Sequence, residues 1–253
     1  MKEGIIGILG GMGPEATLYL FQKIIKNTEA VRDQDHLRVL IDNNPKIPDR
    51  TPAILGSGEN PLTMIIETAK NLERAGADFI IIPCVSAHYF IKELEEATVI
   101  PVISIIDEVA EEIERRLPGV QRIGLIATTG TIRAGLFQDR LREIGIEVLV
   151  PLPREQENLV MSAIYGESGI KAGLISLENK EKILRASNTL IEKGAQGIMG
   201  GCTEVPLAVQ QSDLKVPFFD SLNILSLSAI RIAKAMPANT DDKPASYFLP
   251  PLL

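Results

Sequence analysis

The chain has 253 residues, 45% of them hydrophobic and 23% charged, with a formal net charge of −7. That length buries one large core or two smaller ones, and the acidic balance excludes a nucleic-acid binder, which needs basic patches. No apolar run reaches the ~18 to 20 residues of a membrane span.

Strand-like and helical runs alternate from the start. Ile5 to Leu9 is a short apolar strand. With a single lysine, Glu3 and a glycine turn around it, the segment from Met1 to Gly13 is a first buried strand rather than a signal peptide, which places the chain in the cytoplasm. The turn Gly10-Gly11-Met12-Gly13-Pro14 opens a helix over Ala16 to Ala30, with Pro14 suited to its first position. It lacks the GxGxxG spacing of a dinucleotide site and a well-placed acid about 20 residues on. Its backbone N–H groups, Met12 and Gly13 among them, suit a carboxylate instead. Arg38 to Asp42 is the second strand, followed by the polar loop Asn43 to Arg50, where Arg50 is a candidate to fork a carboxylate. A helix over Pro61 to Ala75, a strand over Phe79 to Pro83, a strand over Val99 to Ile103 and a helix over Ile106 to Leu117 follow. Strands alternating with helices imply largely parallel sheets.

The second half repeats the first. Gly7 in Ile-Gly-Ile-Leu matches Gly124 in Ile-Gly-Leu-Ile, Gly76 matches Gly194, Cys84 matches Cys202 and Pro101 matches Pro217, all at nearly one spacing. The expected fold is two similar α/β lobes of doubly wound parallel topology, related by a pseudo-two-fold axis, with the active site in the cleft between them. Residues 1–104 with 211–253 form the first, discontinuous lobe, and 105–210 form the second.

Cys84 and Cys202 are the only cysteines. A reducing compartment argues against a disulfide, and two thiols without HxxxH or CxxC argue against a metal site. Each stands just past the C-terminal end of an equivalent strand, where open α/β sheets bind ligands. One thiol on each face of a bound molecule is the arrangement of a two-base racemase. One sulfur removes a proton from carbon, and the other delivers one to the opposite face. Ser86 and Thr203 are expected as N-caps of helices opening at the two cysteines, and those helix ends would lower the thiol pKa values. Thr128 to Thr131 supply hydroxyls in the loop matching the first glycine turn, and Tyr165 and Lys171 lie in a second glycine-containing stretch. His88, four residues after Cys84, is either a nucleophile partner or a packing and capping residue.

The glycine turn, Pro48-Asp49-Arg50, Pro83-Cys84-x-x-Ala87-His88 and Gly201-Cys202-Thr203-Glu204-x-Pro206 together resemble the aspartate/glutamate racemase superfamily, and most closely its cofactor-independent aspartate racemases. The resemblance covers nearly the whole chain. Glu204 and the Gly-Gly-Met opening are similar to the aspartate branch rather than to glutamate racemases. It implies that Cys84 acts on the D side and Cys202 on the L side, with no cofactor and no metal. Arg50 and Lys171 would bind the side-chain carboxylate beside Tyr165. Met12, Ser86, Thr129, Thr131 and Thr203 would hold the α-carboxylate and amino group, and the chain would be a homodimer. Val85 stands where the family commonly has Asn, which removes an amide expected to touch the substrate and leaves glutamate or a less polar amino acid open as alternatives.

Two other readings stand beside this one: a cysteine-dependent diacid isomerase of the maleate type, and a two-lobed protein that binds a small acid without chemistry. The C-terminal stretch from Met236 to Leu253 is either a loose tail or a segment whose Tyr247-Phe248-Leu249 docks on a lobe or partner subunit.

Overall fold

The computed structural model describes residues 3–236, so the stretch from Pro237 lies outside the described residues. In the first half, strands β1 (Ile6–Gly10), β2 (Val39–Asn43), β3 (Phe79–Ile81) and β4 (Val102–Ile103) alternate with helices α1 (Pro14–Asn27), α2 (Arg50–Ile54), α3 (Leu62–Arg74) and α4 (Ile91–Ala97). The strands form one parallel sheet in the order β2-β1-β3-β4. The second half has α5 (Ile105–Arg116), β5 (Arg122–Ile126), α6 (Thr129–Arg133), α7 (Leu136–Glu143) and β6 (Glu147–Leu149). It continues through α8 (Pro153–Glu155), a π-helical turn (Gln156–Met161), α9 (Ser162–Tyr165), α10 (Leu177–Glu192), β7 (Ile198–Gly200), α11 (Val205–Ala208), β8 (Phe218–Asp220) and α12 (Ser221–Ala235). Its sheet runs β6-β5-β7-β8, again all parallel. The two orders are identical once halves are matched, so the repeat in the sequence is a repeat of topology.

The inner strands are apolar apart from Arg122, the exposed first residue of β5, as expected of parallel sheets covered on both faces, and β1 is buried along its whole length. Gly7 in β1 and Gly124 in β5 hold equivalent places for one reason. A Cβ on Gly7 would stand 2.9 Å from the Ala77 Cβ and 3.5 Å from the Leu72 Cβ, and one on Gly124 3.1 Å from the Leu190 Cβ. Only glycine lets the turn after α3 lie so close to β1 and α10 so close to β5, and an added methyl would cost about 1–3 kcal/mol through overpacking.

The core runs across both lobes: Ile6 and Ile8 of β1 and Ile123 and Leu125 of β5 belong to one buried cluster with Leu20, Val109 and Leu225 of α1, α5 and α12. One boundary differs from expectation. Strand β8 hydrogen-bonds to β7, so the chain is still in the second sheet at 218–220 and does not leave it at 211. The return is made by α12, which lies on α1, where the Asn27 side-chain amide donates to Asn223 Oδ1 at 3.1 Å and Ser226 Oγ at 2.8 Å. Among the described residues no helix is long and apolar enough to cross a membrane.

Candidate active site

In each sheet the chain turns back between two inner strands, β1 and β3 in one and β5 and β7 in the other. The loops leaving those carboxyl ends are where a parallel sheet receives a ligand. Cys84 follows β3 and Cys202 follows β7. The Thr203 hydroxyl donates to the Pro83 carbonyl at 3.1 Å, which joins the two cysteine loops across the lobes. A Cβ on Gly13 would stand 3.5 Å from Glu204 Oε1, so the first glycine turn reaches the same place.

Around Cys202 the charges are paired. Its thiol donates to Glu204 Oε2 at 2.8 Å, and the other carboxylate oxygen of Glu204 takes the Lys171 ammonium at 2.7 Å. Burial works against the Glu204 charge, but Lys171 and the Cys202 thiol hold its carboxyl below the usual range. Burial likewise works against Lys171, and Glu204, Cys202, Tyr165 and Cys84 together raise it further above its usual value. The Cys202 thiol is pushed well up, first by burial and then by Glu204, so it is a protonated donor here. This corrects the expectation of a helix-lowered thiol: α11 has only four residues, and no side chain caps it. Nor does Ser86 cap a helix. Its hydroxyl lies 3.4 Å from the Cys84 sulfur at the start of a 3-10 turn, Val85–Phe90.

Arg50 is buried and starts α2 behind its N-cap Asp49. One terminal nitrogen donates to the Pro48 carbonyl at 2.9 Å and the other to the Met12 carbonyl at 3.2 Å, while Nε is buried with no partner. Burial opposes the guanidinium charge, but Cys84, Asp49 and Tyr165 keep it raised. A buried cation with an unused donor beside a sulfur is a ready carboxylate contact. His88 is a capping residue rather than a nucleophile partner. Its Nδ1 lies 3.0 Å from the Cys84 carbonyl, and its Nε2 accepts the Ile105 N–H at 3.2 Å. Burial lowers its pKa to about 4, which fixes a neutral ring that donates to Cys84 and receives from α5.

The lobes are also latched on the other side of the cleft. Tyr165 donates to Asp49 Oδ1 at 3.0 Å, with Thr51 Oγ1 at 3.3 Å, and the Lys171 ammonium sits 5.4 Å over the Tyr165 ring. Thr128 caps α6 by accepting the Thr131 N–H, and the Thr128 and Thr131 hydroxyls lie 3.1 Å apart. Gly130 brings α6 against α2: a Cβ there would stand 2.8 Å from Thr51 Oγ1 and 2.9 Å from Thr51 Cα.

The protein-family model for Asp/Glu/hydantoin racemase matches residues 9–227. The chain belongs to that family. It is 25% identical over 233 residues to the broad-specificity amino-acid racemase RacX of Bacillus subtilis, covering 89% of this chain and 96% of that one. Among solved structures it is similar to an aspartate racemase homologue from Pyrococcus horikoshii, with 35% identity, 92% and 99% coverage and a TM-score of 0.73. The aspartate racemase of Picrophilus torridus is 28% identical over 91% of this chain and 94% of its own, with a TM-score of 0.78.

Within this family frame, hydrogen bonds and close contacts link the loops that carry Met12, Gly13, Arg50, Cys84, Ser86, Tyr165, Lys171, Cys202 and Thr203. Thr131 is fully buried beside Thr128, so its hydroxyl serves the α6 cap, while Thr129 is half-exposed at the start of α6. Val85 is buried in the core cluster with Ile105 and Phe137, where it offers packing and no hydrogen bond. Asp49, Thr51, Gln156 and Glu204 carry contacts that residue-by-residue reading did not assign. Glu204 was the most detectable of them: a lone carboxylate between Cys202 and the apolar Val205-Pro206 calls for a buried partner.

Proposed function

We propose that this racemase interconverts L- and D-aspartate with Cys84 and Cys202 as the two acid/bases and without pyridoxal phosphate. The observation that carries the reading is the pair of buried sulfurs just past equivalent strand ends, on loops joined by the Thr203 hydroxyl and the Pro83 carbonyl. With D-aspartate bound, the Cys84 thiolate takes the α-proton. The electron pair left on carbon spreads into the α-carboxylate, and the Cys202 thiol donates its proton to the opposite face. With L-aspartate the same steps run in reverse, from the form in which Cys84 is protonated and Cys202 is the thiolate. Cys202 reaches it by passing its proton through Glu204 Oε2, 2.8 Å away, to solvent, while Cys84 takes one up from solvent. Arg50 through its free Nε, and Lys171, would hold the side-chain carboxylate. Met12, Gly13, Ser86, Thr129 and Thr203 would hold the α-carboxylate and amino group, and a homodimer is part of the reading.

The test is chiral analysis of L-aspartate incubated with reduced, pyridoxal-phosphate-free protein in deuterated water. D-aspartate carrying α-deuterium is expected, and Cys84→Ala and Cys202→Ala should each reduce racemisation by a thousandfold or more (roughly the scale of losing an essential proton-transfer group). Racemisation surviving either substitution would overturn the two-cysteine reading. The same assay over glutamate and less polar amino acids tests the consequence of Val85, because the similar Bacillus protein is named for broad specificity.

A further inference from the structure

The turn Gln156–Met161 is wound as a π-helix between α8 and α9. Residues five apart sit about 140° from each other around an α-helix. Winding with i→i+5 bonds brings them back toward one face, and such turns recur at functional sites. Here the two ends of the turn grip the same residue. The Gln156 amide donates to the Ala127 carbonyl at 2.9 Å and to Thr129 Oγ1 at 3.3 Å, while the Thr129 backbone N–H points to Met161 Sδ at 3.3 Å.

Direction matters in this network. The Ala127 carbonyl only accepts, so the amide nitrogen of Gln156 must face it, and its second hydrogen goes to the Thr129 oxygen. The Gln156 oxygen is buried without a partner, so the nitrogen alone orients this side chain. Because Thr129 Oγ1 already accepts from Gln156, its own hydrogen is available to donate. Among the described residues no acceptor takes it, and Thr129 is half-exposed at the C-terminal end of β5, where the loops of both lobes meet.

We infer that Gln156 is a positioning residue, which makes the Thr129 hydroxyl a donor to the substrate α-carboxylate. The inference rests on the racemase reading above and adds to it a residue that never touches substrate. Without Gln156 the hydroxyl rotates freely and can equally well present its lone pairs to the carboxylate, which repel it.

The experiment is a kinetic cycle on the full chain with aspartate, or with the best amino acid of the panel. Gln156→Met should raise KM about tenfold, the scale of one hydrogen bond, with kcat changing less than about threefold. Thr129→Val should do the same, Thr129→Ser should restore most of the loss, and the double variant should be no worse than either single one. Should Gln156→Met fail to melt cooperatively, Gln156→Glu keeps the side chain's length. Its carboxylate would accept the Thr129 hydrogen, turn it from the substrate and raise KM further. An unchanged KM, or effects that multiply in the double variant, would overturn the inference while leaving the racemase reading intact. A wild-type protein that neither turns over nor binds any amino acid of the panel would overturn both.

Discussion

Replacing Lys171 by Met isolates the energetics of the buried charge pair. The Lys171 ammonium is 2.7 Å from Glu204 Oε1, and the side chains are 19% and 3% exposed. Removing one member of a buried pair costs about 3–5 kcal/mol, because the remaining charge stays unpaired in the interior. The residual exposure of Lys171 puts the expected loss near the lower end, about 3 kcal/mol. For a chain of this size that is a fall in Tm of about 6–12 °C. The loss must depend on pH. Lys171 holds the Glu204 carboxyl below its usual value against the opposing effect of burial, so the wild-type pair contributes above the unfolded carboxyl pKa and is lost as pH falls through the folded one. Without Lys171, burial alone acts and the Glu204 carboxyl rises. The difference between wild type and Lys171→Met is then largest at neutral pH and shrinks in acid, where the raised Glu204 carboxyl of the variant becomes protonated and no longer carries an unpaired buried charge. Urea unfolding at pH 7.5 and pH 4.5 measures this, and adding Glu204→Gln should recover most of the loss. A deficit under about 1 kcal/mol at pH 7.5, or one equally large at pH 4.5, would refute the reasoning.

Three further outcomes follow from the same geometry. Because the buried His88 ring has a pKa of about 4 against 6.5 when exposed, the folded state resists a proton that the unfolded chain accepts. Stability should therefore fall by about 3 kcal/mol as pH drops from 6.5 to 4, and His88→Asn should remove that part of the slope in pH-dependent unfolding. Gly130→Ala places a methyl against Thr51 and should hold α2 and α6 apart; KM should rise about tenfold or more with Tm within a few degrees of wild type. Cys202, whose thiol is raised by burial and Glu204, should react sluggishly with iodoacetamide at pH 8, and Glu204→Gln should accelerate its labelling as read by peptide mass spectrometry.

The fold was legible because its signal is written twice. Apolar runs of strand length in front of Cys84 and Cys202, and glycines at matched places in β1 and β5, reflect packing demands that each half meets on its own. The exit from the second sheet was misjudged because β8 is three residues long and its pairing with β7 is non-local, whereas α12 announces itself by local periodicity. In the site, residues of unusual chemistry stood out: the two thiols, Arg50 and Lys171. The thiol environment did not. The sequence pattern suggested helix N-termini at both cysteines, but Cys202 is governed first by burial and then by a carboxylate two residues on, made tolerable by a lysine over thirty positions earlier. Gln156 gave no signal of its own, since a glutamine in a polar helix is ordinarily exposed.

The two halves match in topology and differ in charge, and that difference bears on direction. Cys84 has the Arg50 guanidinium against it, whereas Cys202 donates its proton to a carboxylate. A racemase with two truly equivalent bases would need no such asymmetry. Here the substituents on an otherwise duplicated frame set the sulfurs apart: one lies beside a cation, the other holds its proton. In the proposed mechanism a D-amino acid meets a Cys202 that already holds the proton to be donated, while an L-amino acid requires Cys202 first to pass that proton to Glu204. Neutralising Glu204 should therefore slow turnover of L-aspartate more than that of D-aspartate at saturating substrate, with kcat/KM constrained by the reaction's equilibrium to fall equally in both directions. Progress curves begun from each pure enantiomer measure both quantities, and an equal fall in the two kcat values would dissociate Glu204 from the proton's path.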